Sequence, residues 1–351
     1  MDGKMKAIIK TKPGTGAELK MVPIPKPKDD EVLVKILATS ICGTDVHIYN
    51  WEGWVKDRIK TPQIMGHEFI GDIVEIGKDV TSVKVGDRIT AETHIVCNKC
   101  DQCKTGNAHV CKETEIIGVD RDGSFAEYIA IPESNAWLTS KDVPLEVASV
   151  QEPLGNAVHA AMEFDAAGKT VAVFGCGPIG LFSIAILKKN GAAKVIALDK
   201  CDDRVALAKQ MGADVTIRVG EGSAVDELKK HMNGTGINLA LEMSGSPQAA
   251  HDILDTLAMG GEMVWFGLPN EDICIDIANK VVFRGIKMHG VIGRKMYDTW
   301  FKSRRLLNSG LDISPAITHK LAFEDWEKGI NFMRDGKGAK IVLYPNPKDM
   351  K

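Results

Sequence analysis

The run Gly175-Cys176-Gly177-Pro178-Ile179-Gly180 constrains this chain more than any other stretch. It follows residues 171–174, a short apolar run that reads as a buried strand, and opens an apolar segment to about Lys189 that reads as a helix. G-x-G-x-x-G between a strand and a helix is the dinucleotide fingerprint. Gly175 permits the tight turn, Gly177 admits a pyrophosphate to the backbone, and Gly180 lets helix and strand pack closely. Asp199 ends the next strand, nineteen residues past Gly180, where a carboxylate accepts hydrogen bonds from ribose hydroxyls and repels a 2′-phosphate. NAD is therefore expected over NADP, with Lys200 and Arg204 as the residues that could reverse the preference.

The rhythm continues with strands at 195–198, 238–241 and 263–266, and with helices between them at 202–211 and after Ser246. Strand–helix alternation of this kind gives α/β architecture with a doubly wound parallel sheet. Upstream, from Lys6 to about Tyr128, the signals are short strands and turns, as at 31–37, 69–77 and 85–89, which predicts a compact, partly closed β domain. Downstream, 297–309 and 323–334 read as amphipathic helices and 340–344 as a closing strand. Two domains suit 351 residues.

Bulk properties narrow the function class. A net charge of −3 with no long like-charge block gives no electrostatic reason for a nucleic-acid or anionic-membrane partner. Residues 170–187 carry no charge, but three glycines and Pro178 break them, so a strand, turn and helix start are expected there instead of a membrane span. The N-terminus has neither the apolar core nor the cleavage site of a signal peptide. A cytoplasmic, reducing setting is expected, so the eight cysteines are read as metal ligands or buried thiols before disulfides.

Four of them, Cys97, Cys100, Cys103 and Cys111, stand as C-x2-C-x2-C-x7-C. Four thiolates on one loop can close around a tetrahedral structural Zn²⁺. An iron–sulfur cluster is the rival, but the ferredoxin run has three residues before its last cysteine and a proline after it, whereas here the gap is seven and Lys112 follows.

A second metal is expected elsewhere, because a reactive zinc keeps one position open and takes ligands from separate stretches. Cys42, in Ser40-Ile41-Cys42-Gly43-Thr44-Asp45-Val46-His47, offers a thiolate beside a hydroxyl and an imidazole; the uneven spacing does not predict one face of a regular helix. Gly66-His67-Glu68 offers an imidazole and a carboxylate at a strand start. Neighbours on a strand point to opposite faces, so Glu68 either bends back to the metal or stands behind it and exchanges with water. Glu152, near the domain junction, is the other acidic candidate. Taken singly, Cys42 and His67 read equally as a buried thiol and a core histidine.

Taken together, Cys42 with Gly66-His67-Glu68, the four-cysteine loop and the glycine fingerprint, in that order, resemble the zinc-dependent medium-chain alcohol dehydrogenases over nearly the whole chain. The resemblance implies a GroES-like β-barrel catalytic domain, residues 1–155 and 293–351, around a Rossmann dinucleotide-binding domain, residues 156–292. It implies catalytic zinc at Cys42, His67 and Glu68, and so two Zn²⁺ per chain with the four-cysteine site. Glu152 would be needed near the metal without a fixed bond to it. Thr44 and His47 would form a proton relay. NAD would touch Ile179, Asp199, Arg204, Phe266, Gly267, Leu268, Val291 and Ile292, although Ile292 departs from the polar residue expected there. A homotetramer is implied as well.

More narrowly, residues 41–51, 92–95, 152–159 and 309–319 are similar to the branch of that family that oxidises L-threonine at C3 to 2-amino-3-oxobutanoate with NAD⁺. A zwitterionic substrate needs a cation for its carboxylate. Arg294 is the candidate, though it reads equally as an interdomain or solvated residue, and His94 is the candidate for shaping the pocket. Two other readings stay open: a zinc dehydrogenase of another secondary alcohol, such as 2,3-butanediol or a polyol, and a dinucleotide-binding module without turnover.

Overall fold

The chain was analysed as a computed structural model that describes residues 3–220, 222–232 and 234–350. It forms two compact units, one up to Glu152 joined by the tail from Ile317, the other Pro153–Ala316.

The first unit is built on strands. Its main sheet has seven, with the path Ala136–Leu138, Arg88–Ala91, Glu68–Ile76, Glu31–Ile41, Lys340–Tyr344, Ile317–Ala322, and Tyr128–Pro132 pairing with Glu31–Ile41 off that path. The strand Glu31–Ile41 is nearly all buried, as its apolar run predicts. Its end is paired on both sides: Ser40 stands opposite Glu68 on one neighbour and opposite Val342 on the other. The tail is thus stitched into the start of the unit. Ile41, Ile48, Tyr49, Phe125, Phe323, Trp326, Ile330 and Ile341 share one core and tie the helix Gly43–Asn50 to the helix Trp326–Arg334. Each such fully buried side chain contributes about 1.5–3 kcal/mol.

The second unit is the expected parallel sheet. Its six strands run in the order Val215–Arg218, Lys194–Asp199, Thr170–Phe174, Ile237–Glu242, Leu257–Trp265, Lys287–Gly290, all pairs parallel. This is the doubly wound order, with the direction of winding reversing between Thr170–Phe174 and Ile237–Glu242. Residues 170–187 resolve into a strand, the turn and the helix Pro178–Lys189. Among the described residues no helix is long and apolar enough to cross a membrane.

The division differs from the expected one mainly at its second boundary. Residues 293–316 lie with the parallel sheet instead of returning to the first unit at 293. The physical reason is local packing. Gly293 O accepts from His159 Nδ1 at 3.0 Å, Arg294 donates to Asn156 at 3.1 Å, and Trp300 of the helix Asp298–Asn308 is fully buried. The chain re-enters the first unit only with the strand Ile317–Ala322.

Candidate functional site

Two clusters of metal-ligating side chains lie in the first unit. In the first, ligand atoms of Cys42, His67 and Glu68 all fall within 4.8 Å of one another. Cys42 is the N-cap of the helix Gly43–Asn50, so this stretch is a regular helix where the uneven spacing predicted none. What stabilises it is not an apolar stripe but Asp45, whose buried carboxylate reaches back to the Cys42 N–H at 2.9 Å and across to the Gly66 N–H at 3.2 Å. Asp45 thereby fixes both ligand-bearing loops. Thr44 and His47 stand three residues apart, neighbours on the helix surface.

His67 precedes the strand that starts at Glu68, so the alternation rule does not separate the two side chains. Gly66 makes the turn possible. Its φ is +85°, and a Cβ there would lie 2.1 Å from the Phe125 ring. The Glu68 carboxylate is held by the Ser40 hydroxyl and by the buried ammonium of Lys340, which also donates to Ile41 O at 3.2 Å. Neither Lys340 nor Ser40 carries a motif, and the strand registers alone bring them here.

Glu152 is buried in the same unit and accepts from the Thr93 hydroxyl at 3.1 Å. His94, the next residue, is partly buried. Its N–H donates to Glu92 at 2.9 Å and its carbonyl accepts from Asn135 at 3.0 Å.

The chemistry of the donors fits a cation. His67 is buried, and its Nδ1 makes no hydrogen bond among the described residues, Asp45 Oδ1 being 3.9 Å away. Burial alone would push the imidazole pKa down, yet the neighbouring Cys42 sulfur and Asp45 carboxylate lift it to about 10. Thiolate, imidazole and carboxylate together are a zinc donor set with room for a fourth ligand.

The second cluster is the four-cysteine loop. Its Sγ atoms lie 3.5 Å (Cys100–Cys103 and Cys97–Cys111), 3.8 Å (Cys100–Cys111) and 4.0 Å (Cys97–Cys103) apart. A tetrahedron with Zn–S of about 2.3 Å has S–S edges of about 3.8 Å, whereas a disulfide is about 2.05 Å long. The loop fits a closed, structural metal.

In the second unit the fingerprint takes the predicted form. Gly177 caps the helix Pro178–Lys189, and a Cβ on it would meet nothing within 4 Å, leaving the helix N-terminus open to an anion. A Cβ on Gly180 would lie 2.0 Å from Gly175 O. Ile179 lies in the first turn of that helix. Asp199 closes its strand and accepts from the Cys176 N–H at 2.7 Å and the Cys201 N–H at 2.9 Å, one on each oxygen, so each oxygen keeps a lone pair. Arg204 has a buried Nε that makes no hydrogen bond among the described residues. Phe266 and Gly267 donate to Glu242 O at 3.0 Å each, which carries Leu268 out to 83% exposure. Val291 is buried and Ile292 is 59% exposed.

Arg294 is held within the second unit. It is 1% exposed, its stem lies against Gly155, and its guanidinium donates to Asn156. Of the two roles the sequence left open for Arg294, substrate cation and pairing residue, these contacts belong to the second.

Residues 28–141 match the alcohol dehydrogenase GroES-like domain, and residues 178–309 match the zinc-binding dehydrogenase domain. The chain is 52% identical to L-threonine 3-dehydrogenase of Caldanaerobacter subterraneus subsp. tengcongensis over 98% of this chain and 100% of that one. The chain belongs to the zinc-dependent medium-chain alcohol dehydrogenases. It is also 50% identical to L-threonine 3-dehydrogenase of Bacillus velezensis, over 98% of this chain and 100% of that protein. Among solved structures, a short chain alcohol dehydrogenase from Escherichia coli CFT073 complexed with NADH superposes with a TM-score of 0.89 at 27% identity, covering 97% of this chain and 99% of that one. As a member of this family the chain is an oxidoreductase with a GroES-like domain and a Rossmann-type sheet, and its chemistry uses a nicotinamide dinucleotide and zinc.

Proposed function

We propose that the chain is an NAD-dependent L-threonine 3-dehydrogenase, oxidising the C3 hydroxyl to give L-2-amino-3-oxobutanoate. The observation that carries this reading is the cluster of Cys42, His67 and Glu68 at the start of the helix bearing Thr44 and His47, in a chain half-identical over its full length to threonine dehydrogenases. Cys42, His67 and Glu68 would hold one zinc and the four-cysteine loop a second.

When bound, zinc supplies a Lewis acid that eases loss of the hydroxyl proton, and NAD⁺ supplies the hydride acceptor. The chain's own residues do the rest. The Thr44 hydroxyl receives the substrate proton and His47 carries it outward. Glu152, oriented by Thr93, presents a carboxylate beside the donor set. Lys340 and Ser40 hold Glu68, and His94 shapes the substrate pocket. Gly175, Gly177, Ile179 and Gly180 would seat the pyrophosphate, and Asp199 with Arg204 would take the adenosine ribose. Phe266, Gly267, Leu268, Val291 and Ile292 would line the nicotinamide side. The carboxylate of Asp199 favours NAD over NADP, since a 2′-phosphate beside it would be repelled.

The working form is a homotetramer in a reducing cytoplasm. Among the described residues no cysteine is in a disulfide. Among the described residues the strand Lys287–Gly290 is an edge strand of the parallel sheet, in the unit that also exposes Phe283 at 74% and Met259 at 72%. Open edges and exposed apolar side chains are what subunit assembly covers. The deciding experiment compares NADH formation from L-threonine and from 2,3-butanediol under one set of conditions: threonine is expected to be the faster substrate, and faster butanediol turnover would transfer the assignment to that alcohol.

A further inference from the structure

We propose that Glu52 is the outermost member of the proton path: it takes from His47 Nδ1 the proton released as His47 receives one at Nε2, and passes it to water. This rests on the roles given to Thr44 and His47 above.

Glu52 meets His47 because the backbone folds back on itself. The two lie five positions apart, a separation that in a continuing helix puts side chains on different faces. The helix stops at Asn50, and Trp51 takes the left-handed conformation with φ 59° and ψ 54°. The Trp51 N–H then donates to Ile48 O and the Glu52 N–H to His47 O, each at 3.3 Å. These are the two bonds of a Schellman turn, whose left-handed position is ordinarily glycine. The turn returns the Glu52 carboxylate to His47, with Oε1 3.0 Å from Nδ1, and Asn50 steadies the same oxygen from 3.4 Å. Both side chains are about half exposed, so the acid has open water beyond it.

A bulky residue at positive φ is strained and persists only where its surroundings enforce it. The enforcing group is Lys10. Its ammonium is fully buried and faces no carboxylate among the described residues. Instead it donates to the carbonyls of Gly14, Gly16 (2.8 Å) and Tyr49 (3.0 Å), and it lies 5.2 Å from the centre of the Trp51 ring. A cation on the Tyr49 carbonyl, in the last turn of the helix, and on the face of the Trp51 ring locks the turn that carries Glu52.

The proton balance closes. One proton enters the imidazole at Nε2, the Nδ1–H bond breaks towards Glu52 Oε1, and the resulting carboxylic acid loses its proton to water. The half-exposed ring recovers its starting tautomer by exchanging a proton with water at each nitrogen. No electrons move in this step.

The test is Glu52→Gln, which keeps the size and the hydrogen bond but cannot carry the proton onward. In dilute, weakly basic buffer kcat for threonine is expected to fall several-fold with KM unchanged, and added imidazole is expected to restore it. Glu52→Asp is expected to retain more activity than Glu52→Gln. A Glu52→Gln enzyme with wild-type kcat and no response to imidazole overturns the proposal; so does a loss of kcat that imidazole fails to reverse in a protein of unchanged melting temperature. Should the wild type oxidise butanediol and not threonine, the substrate reading fails on its own, and the same imidazole comparison is made on butanediol.

Discussion

The Lys340 ammonium lies against both carboxylate oxygens of Glu68, two side chains 272 residues apart in sequence that are 2% and 0% exposed. Burial alone would make Lys340 easier to deprotonate; the Glu68 carboxylate outweighs this and raises its pKa. The pair joins the returning tail to the metal-ligand set. Lys340→Met leaves the Glu68 charge buried without this partner, and breaking such a pair costs about 3–5 kcal/mol. Urea unfolding is expected to show a loss of that order; an unchanged midpoint would mean that Glu68 is held by other groups.

Thr93 donates its hydroxyl to Glu152 Oε1 at 3.1 Å. Thr93→Val conserves shape and removes the hydroxyl that makes that hydrogen bond, worth about 1.5–3 kcal/mol when one partner is charged. If Glu152 acts through its orientation, kcat falls about tenfold or more, since each 1.4 kcal/mol in the barrier is a factor of ten. Thr93→Ser restores most of it. Steady-state kinetics of the two variants, with zinc content measured alongside, decide the point.

The four-cysteine loop and the Cys42 cluster are expected to separate cleanly. Cys103→Ser is expected to remove one zinc per chain, measured by elemental analysis, and to lower the melting temperature. Cys42→Ser is expected to abolish turnover while leaving the four-cysteine zinc in place. Loss of both zincs from either single variant would contradict two independent sites.

Glu31 shows the direction of acid sensitivity. It is buried, which alone would raise its pKa, but Arg121 at 2.8 Å and the Lys28 N–H at 3.1 Å hold it below the usual carboxylate range. Its folded pKa is thus below the unfolded value of about 4.3. The stabilisation is present above that unfolded value and is lost as pH falls through the folded one. Glu31→Gln is therefore expected to lower unfolding free energy at neutral pH and to make less difference in strong acid, as read by urea titrations at both.

How much of this was legible in the sequence follows the range of the interactions. The fingerprint, the strand Lys340–Tyr344 and the four-cysteine loop are set by residues close together in sequence, and their spacing carries them. The helix Gly43–Asn50 was not legible, because Asp45, and not a periodic apolar face, stabilises its start. Glu68 left two orientations open, since nothing local says that Lys340 arrives beside it. The late return of the chain at Ile317 depends on burial of Trp300 and on the bond between Arg294 and Asn156, which no motif announces. Lys10 carries no motif, and only the fold reveals a buried cation there.

The most direct test of the account is the appearance of NADH absorbance when L-threonine and NAD⁺ are added to the zinc-loaded protein, repeated on His67→Ala. The account predicts steady NADH formation by the wild type, none by His67→Ala, and retention of the four-cysteine zinc in both. Equal turnover by the two proteins would contradict it.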